Sequence, residues 1–171
     1  AWEQAHDIYR HAASLPHIRV TGVATHIGSQ LIDLTPFKQA FEKITTLVAG
    51  LRTEGHTISR LDLGGGLGIP YGKEIPPSPT DYAEMITDTV RHLECELILE
   101  PGRLIAGNSG ILVTSVILVK HTPERVFVIV DAAMNDLARP SLYDAWHDII
   151  PITGPRSQES AMPVDIVGPV C

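Results

Sequence analysis

From Trp2 to Arg103 the sequence alternates helix-patterned segments with three short apolar runs, and each run ends in a small polar or glycine-rich group. Ile18 to Ile27 ends in HIGSQ, Ile58 to Leu63 runs into GGGLG, and Glu96 to Leu99 ends in EPGR. Before the first run, Trp2, Ala5, Tyr9, Ala12 and Ala13 recur at helical spacing until Pro16. Between the first two runs, Phe37, Ala40, Phe41, Ile44, Leu47, Val48 and Leu51 form one stripe of a helix opened by Thr35 and Pro36 and ended by Gly55. Between the second and third, Thr80 caps a helix in which Tyr82, Met85, Ile86, Val90 and Leu93 share a face. Strands separated by helical crossovers imply a parallel sheet. In parallel α/β barrels and sheets the C-terminal strand ends carry the active site. The three terminal groups are therefore the candidate site.

After Arg103 the pattern changes. Ile111 to Lys120 and Arg125 to Val130 read as long strands joined by the turn HTPE, with no crossover helix, so they pair antiparallel. A loop-rich segment, MNDLARPSLYDAWH, follows, then Ile149 to Ile152, a GPRSQES turn and a last strand from Pro163 to Val170. The reading is an α/β part over residues 1–107 and the start of a β domain over 108–171, with the boundary near Ala106–Gly110.

Composition narrows the functional classes. The net charge of −7, a pI near 5.5 and the lack of a basic cluster argue against nucleic acid as the main partner. The longest apolar candidate, Ile111 to Val119, is too short for a membrane span. Cys95 and Cys171 do not make a disulfide framework, which fits a reducing, cytoplasmic compartment. The N-terminus AWEQAHDIYR has neither the basic start nor the apolar middle of a signal peptide, and both ends read as cuts through a larger protein.

Residue chemistry at the strand ends leaves two readings open. Gly64, Gly65 and Gly66 suit either a tight turn or an anion cradle, because successive N–H groups without Cβ atoms can approach a phosphate. The spacing is neither the GxGxxG dinucleotide fingerprint nor a Walker A loop. Glu100 and Arg103 after an apolar strand suit an ion pair or a functional role. His26 alone reads as a rim histidine, but a His, a Glu and a glycine nest at three successive strand ends form a rarer set. No HxxH, HExxH or CxxC pair points to a metal. Asp62 and Asp131 read as orienting groups, Trp146 and His147 as packing.

HIGSQ, DLGGGLGIPYG, EPGR, MNDLARPSLYDAWH and the final Cys171, in this order and spacing, resemble the diaminopimelate decarboxylase family, a branch of the fold-type-III pyridoxal phosphate (PLP) decarboxylases. The resemblance covers nearly the whole chain. It implies the last three strands of a TIM (β/α)8 barrel followed by the start of an antiparallel β-sandwich or barrel domain, as in alanine racemase-like proteins. It implies PLP as cofactor, decarboxylation of meso-2,6-diaminopimelate to L-lysine, and a homodimer whose active site is shared across subunits. By the same resemblance His26 stacks on the PLP ring. Ser29, Gly64, Gly65 and Gly66 hold the phosphate with Pro101, Gly102 and Arg103 close by, and Glu100 faces the ring nitrogen. Arg103, Arg139 and Tyr143 bind substrate, and Cys171 donates a proton in the partner subunit's site. Related ornithine and arginine decarboxylases share the glycines and EPGR but not typically the MNDLxRPxLY pattern.

Two family elements have no counterpart. The lysine that tethers PLP in the family lies on an early barrel strand, whereas Lys38, Lys43, Lys73 and Lys120 read as surface residues. The segment that follows the cysteine in the family is also missing. A usual barrel takes about 250 residues, so the chain reads as a central piece of the enzyme.

Overall fold

The computed structural model describes residues 2–154 and 162–170. They fall into two units, one holding the described residues to Pro70 with Glu74–Ser109, the other Tyr71–Lys73 with those from Gly110 onward. In the first unit a 3-10 turn at Trp2–Gln4 leads into α1 (Ala5–Ser14), β1 (Gly22–Ala24), α2 (Thr35–Thr53), β2 (Arg60–Asp62), α3 (Pro79–Val90), a second 3-10 turn at Arg91–Leu93, β3 (Glu96–Ile98) and α4 (Arg103–Ala106). The alternation expected from the sequence is present.

The three strands lie in the order β1-β2-β3, and both pairs are parallel. Gly22, Arg60 and Glu96 share one register position, and Ala24, Asp62 and Ile98 another. Parallel strands held in step bring their C-terminal ends side by side. The pairing continues past the strands: Thr25 N–H donates to Asp62 O at 2.9 Å, Leu63 N–H to Ile98 O at 3.0 Å and Glu100 N–H to Gly64 O at 2.9 Å.

The predicted stripe of α2 is buried. Phe37, Phe41, Val48 and Leu51 have no exposure and pack with Leu61 of β2, Leu63, and Tyr82, Ile86 and Val90 of α3. Each such Phe or Leu contributes about 1.5–3 kcal/mol through burial. This core fixes β2 against α2 and α3, and so fixes where the glycine segment begins.

Helix starts differ in detail from the sequence reading. Ser78, not Thr80, caps α3. Its hydroxyl accepts from Asp81 N–H at 3.1 Å, and the Asp81 carboxylate accepts from Ser78 N–H at 3.1 Å. Pro79 takes the first helical position, where a missing N–H is harmless, and this moves the cap to Ser78. Thr35 is likewise the first residue of α2, and Asp33 accepts from its N–H and hydroxyl.

The second unit contains β4 (Val116–His121), β5 (Val126–Val130), α5 (Arg139–Tyr143) and β6 (Asp165–Val167). β4 and β5 pair antiparallel around Thr122–Arg125, with an irregularity between Val116 and Leu118. β6 pairs parallel to β5, so the sheet is mixed. A parallel return needs a long connection, which residues 131–164 supply. The predicted strand from Ile111 begins only at Val116. Just before it, Asp131 Oδ1 accepts from Thr114 Oγ1 at 2.5 Å and from Ser115 N–H at 2.8 Å. The last predicted strand shortens to Asp165–Val167, and most of the predicted GPRSQES turn lies outside the described residues. No helix among the described residues is long and apolar enough to cross a membrane.

Candidate cofactor and substrate site

The register of β1, β2 and β3 sets HIGSQ, GGGLG and EPGR side by side, and their backbones nearly touch. A Cβ on Gly64 would lie closer than 3.0 Å to the Thr25 carbonyl oxygen. One on Gly65 would meet the Glu100 carbonyl oxygen, and one on Gly66 that of Gly28, equally closely. Gly64 and Gly66 also adopt positive φ, +68° and +111°, where a side chain is strained. The triplet is therefore demanded by the fold itself, at the meeting of three strand ends.

Two of the three glycine amides are engaged by protein atoms. Gly64 N–H donates to Asp62 Oδ1 at 2.9 Å, so Asp62 orients the backbone as its position predicts. Gly65 N–H donates to His26 Nδ1 at 3.3 Å, which in the neutral ring leaves the proton on Nε2. Gly66 N–H has no hydrogen-bond partner among the described residues. The nest read from the sequence thus reduces to one open amide in the triplet.

The first and third strand ends are joined by side chains. Arg103 Nη2 donates to Ser29 Oγ at 2.7 Å, and Arg103 Nη1 to Gln30 Oε1 at 3.2 Å. No Glu100–Arg103 ion pair forms, and the exposed Glu100 carboxylate has no partner among the described residues. Pro101 and Gly102 make the turn into α4, whose first residue is Arg103. His26, Ser29, Gly64–Gly66, Glu100 and Arg103 are thereby brought into one cluster.

Gln30 is a member that the sequence reading quoted but gave no role. Its Nε2 donates to Ile69 O at 2.5 Å and its Oε1 accepts from Ile69 N–H at 3.2 Å, so it grips the far end of the glycine segment. An amide carries both a donor and an acceptor. That capacity, directly after Ser29, was the available signal.

In the second unit, Arg139 opens α5 and Tyr143 ends it. Arg139 is half-buried, with the Tyr71 ring 4.5 Å from its Cζ and His147 Nε2 3.3 Å from its Nη1. Tyr143 is 73% exposed. Its hydroxyl has no hydrogen bond among the described residues. Cys171 lies outside the described residues. Cys95 is half-buried against the core, and the four lysines are exposed.

A strand-end cluster with an open glycine amide, a hydroxyl on a guanidinium, an unpaired carboxylate and a fixed imidazole makes a candidate cofactor site on a parallel α/β unit. Residues 1–107 match the family model described as the pyridoxal-dependent decarboxylase, pyridoxal binding domain, and the chain belongs to that family. The chain is 52% identical, over 99% of its length, to diaminopimelate decarboxylase of Vibrio cholerae, of which it covers 40%. It superposes with a TM-score of 0.93 on diaminopimelate decarboxylase from Helicobacter pylori complexed with L-lysine, at 38% identity, covering 100% of this chain and 42% of that one. A structure of SrLDC with PLP and cadaverine gives a TM-score of 0.84 at 25% identity, covering 100% of this chain and 44% of that one. The fold is thus the fold-type-III arrangement of a partial barrel and the start of a β domain. The chain spans about 40% of the length of the curated relatives it matches.

The cluster fits PLP on its own chemistry. A phosphate takes an N–H, a hydroxyl and a cation, all present at Gly66, Ser29 and Arg103. A ring nitrogen that carries a proton takes a carboxylate with no other partner, present at Glu100.

Proposed function

We propose that this chain supplies the cofactor-phosphate and substrate-carboxylate groups of an enzyme that decarboxylates meso-2,6-diaminopimelate to L-lysine and CO2. The carrying observation is the convergence of HIGSQ, GGGLG and EPGR, joined by the Arg103–Ser29 and Gly65–His26 bonds. Ser29, the open amide of Gly66, Gly102 and Arg103 would hold the phosphate, and His26 would pack on the ring face, while Gly64 and Gly65 let the strand ends close around it. The Glu100 carboxylate would face the ring nitrogen and favour its protonated form. When bound, PLP supplies an electron sink for the carbon that loses CO2. The Arg139 guanidinium binds the carboxylate that stays with the product, since an arginine fork matches a carboxylate bidentately. Tyr143 adds a hydroxyl to that carboxylate, and Cys171 donates a proton to the carbon after CO2 leaves. A thiol suits this, with a pKa of about 8.5 before perturbation. The enzyme works as a cytoplasmic homodimer with Cys171 acting in the partner's site.

The test is a substrate screen with PLP on the full-length gene product that contains this segment. Lysine forms from meso-2,6-diaminopimelate; release of an amine from ornithine or arginine instead would overturn the substrate assignment. The 171-residue chain alone, with PLP added, is expected to give no lysine, because none of its exposed lysines is placed to tether the cofactor. Measurable turnover by that chain would refute this part.

A further inference from the structure

Arg139 has no carboxylate partner among the described residues, although it is half-buried. Two rings hold it instead. The Tyr71 ring centroid lies 4.5 Å from its Cζ, and His147 Nε2 lies 3.3 Å from its Nη1. The two rings meet edge to face, with centroids 5.5 Å apart and an interplanar angle of 79°. Arginine only donates, so His147 Nε2 accepts, and the neutral imidazole carries its proton on Nδ1. A ring against the guanidinium face leaves the in-plane N–H groups to other partners. One goes to His147; the other four have no partner among the described residues.

We propose that Tyr71 and His147 are positioning residues, which fix the Arg139 guanidinium in advance for the substrate carboxylate that the product retains. The inference rests on the reading of Arg139 given above. A long flexible side chain loses rotamer freedom when it grips a ligand, and ordering it beforehand removes that loss from binding. The effect belongs to binding of the retained carboxylate, which L-lysine also carries, rather than to bond cleavage at the other end.

The test measures L-lysine binding by calorimetry and KM and kcat for meso-2,6-diaminopimelate in the full-length holoenzyme. His147→Phe and Tyr71→Leu are expected to weaken lysine binding and raise KM by roughly five- to tenfold, the worth of about one hydrogen bond or cation–π contact. kcat should change by less than about twofold, because the interaction is equal in ground and transition states. His147→Gln keeps an acceptor and Tyr71→Phe keeps the ring face, so each should recover most of the lost affinity. A mere packing role would not separate these pairs. Arg139→Ala is the control on the underlying reading. If it leaves lysine binding unchanged, that reading and this proposal both fall. If it weakens binding while His147→Phe and Tyr71→Leu do not, or if His147→Gln is as impaired as His147→Phe, the positioning proposal alone falls.

Discussion

Gly65 can be used to ask whether the glycine triplet serves the backbone or the ligand. Gly64 and Gly66 adopt positive φ, but Gly65 does not, so alanine suits its conformation. The added Cβ would still meet the Glu100 carbonyl oxygen closer than 3.0 Å, and a backbone atom cannot rotate away. Relief requires the ends of β2 and β3 to part by something on the order of 1 Å. That motion stretches the bond from Glu100 N–H to Gly64 O, now 2.9 Å. Overpacking of this kind costs about 1–3 kcal/mol, and a lost backbone hydrogen bond adds about 1 kcal/mol. Gly65→Ala should therefore destabilise the cofactor-free, full-length protein by about 2–4 kcal/mol in urea unfolding. An alanine that only crowded a phosphate would leave the cofactor-free protein intact and weaken PLP binding alone. A loss below about 0.5 kcal/mol together with weakened PLP binding would refute the backbone argument.

Tyr82→Phe should act in the opposite sense. The Tyr82 hydroxyl is buried without a hydrogen-bond partner among the described residues, its ring edge-on to Phe37 at 5.0 Å, and its removal should stabilise the protein by about 1 kcal/mol in urea unfolding. Burial pushes the Tyr82 phenol up to about 12, from 10.0. Its contribution is thus complete below pH 10 and is lost as pH rises toward 12, so stability should decline over that range in the wild type and less in Tyr82→Phe. Ser78→Ala removes the α3 cap and should cost about 1 kcal/mol in thermal or urea unfolding. Hydrogen bonds from the Ser78 hydroxyl and then its backbone amide hold the Asp81 carboxyl below its usual 3.8. That contribution is present above the unfolded carboxylate value and lost as pH falls through the lower folded one, so Ser78→Ala should flatten the acid end of the stability curve.

The strongly periodic features were legible because burial enforces them. The stripe from Phe37 to Leu51 is buried as read, and the run into the glycines forms β2. Lengths were less legible. Ile18 to Ile27 reads as one strand, yet the paired strand is only Gly22–Ala24, with backbone bonds at Thr21 and Thr25 just beyond it. Helices as short as α4 and α5 have no room to show a period, so EPGR reads only as a strand-terminal group and RPSLY as part of a loop-rich segment. β6 lies parallel to β5 through a long connection, a nonlocal choice that no residue near Asp165 announces. At the site, residue types pointed to the three strand ends, but His147 looked like packing and Tyr71 carried no assigned role. Their contact with Arg139 joins residues far apart in sequence, and no spacing encodes it.

Gln30 shows how the strand ends are held to one geometry. It is a non-glycine residue at φ +59°, a left-handed conformation that costs an L-residue roughly 1–2 kcal/mol. A glycine there would relieve the backbone but would have no amide. The amide closes both polar groups of Ile69 and accepts from Arg103, linking the first strand end to the second and the third. Two backbone groups satisfied and one charge-assisted bond outweigh the local strain, since hydrogen bonds to charged groups alone contribute about 1.5–3 kcal/mol. The strain persists because the surrounding contacts over-determine it, and it sits beside Ser29 and Arg103, the groups assigned to the phosphate. On the proposed assignment, tight strand-end packing and phosphate binding draw on neighbouring residues: a change that loosens Gln30 also removes one of the bonds that hold the guanidinium that would meet the anion.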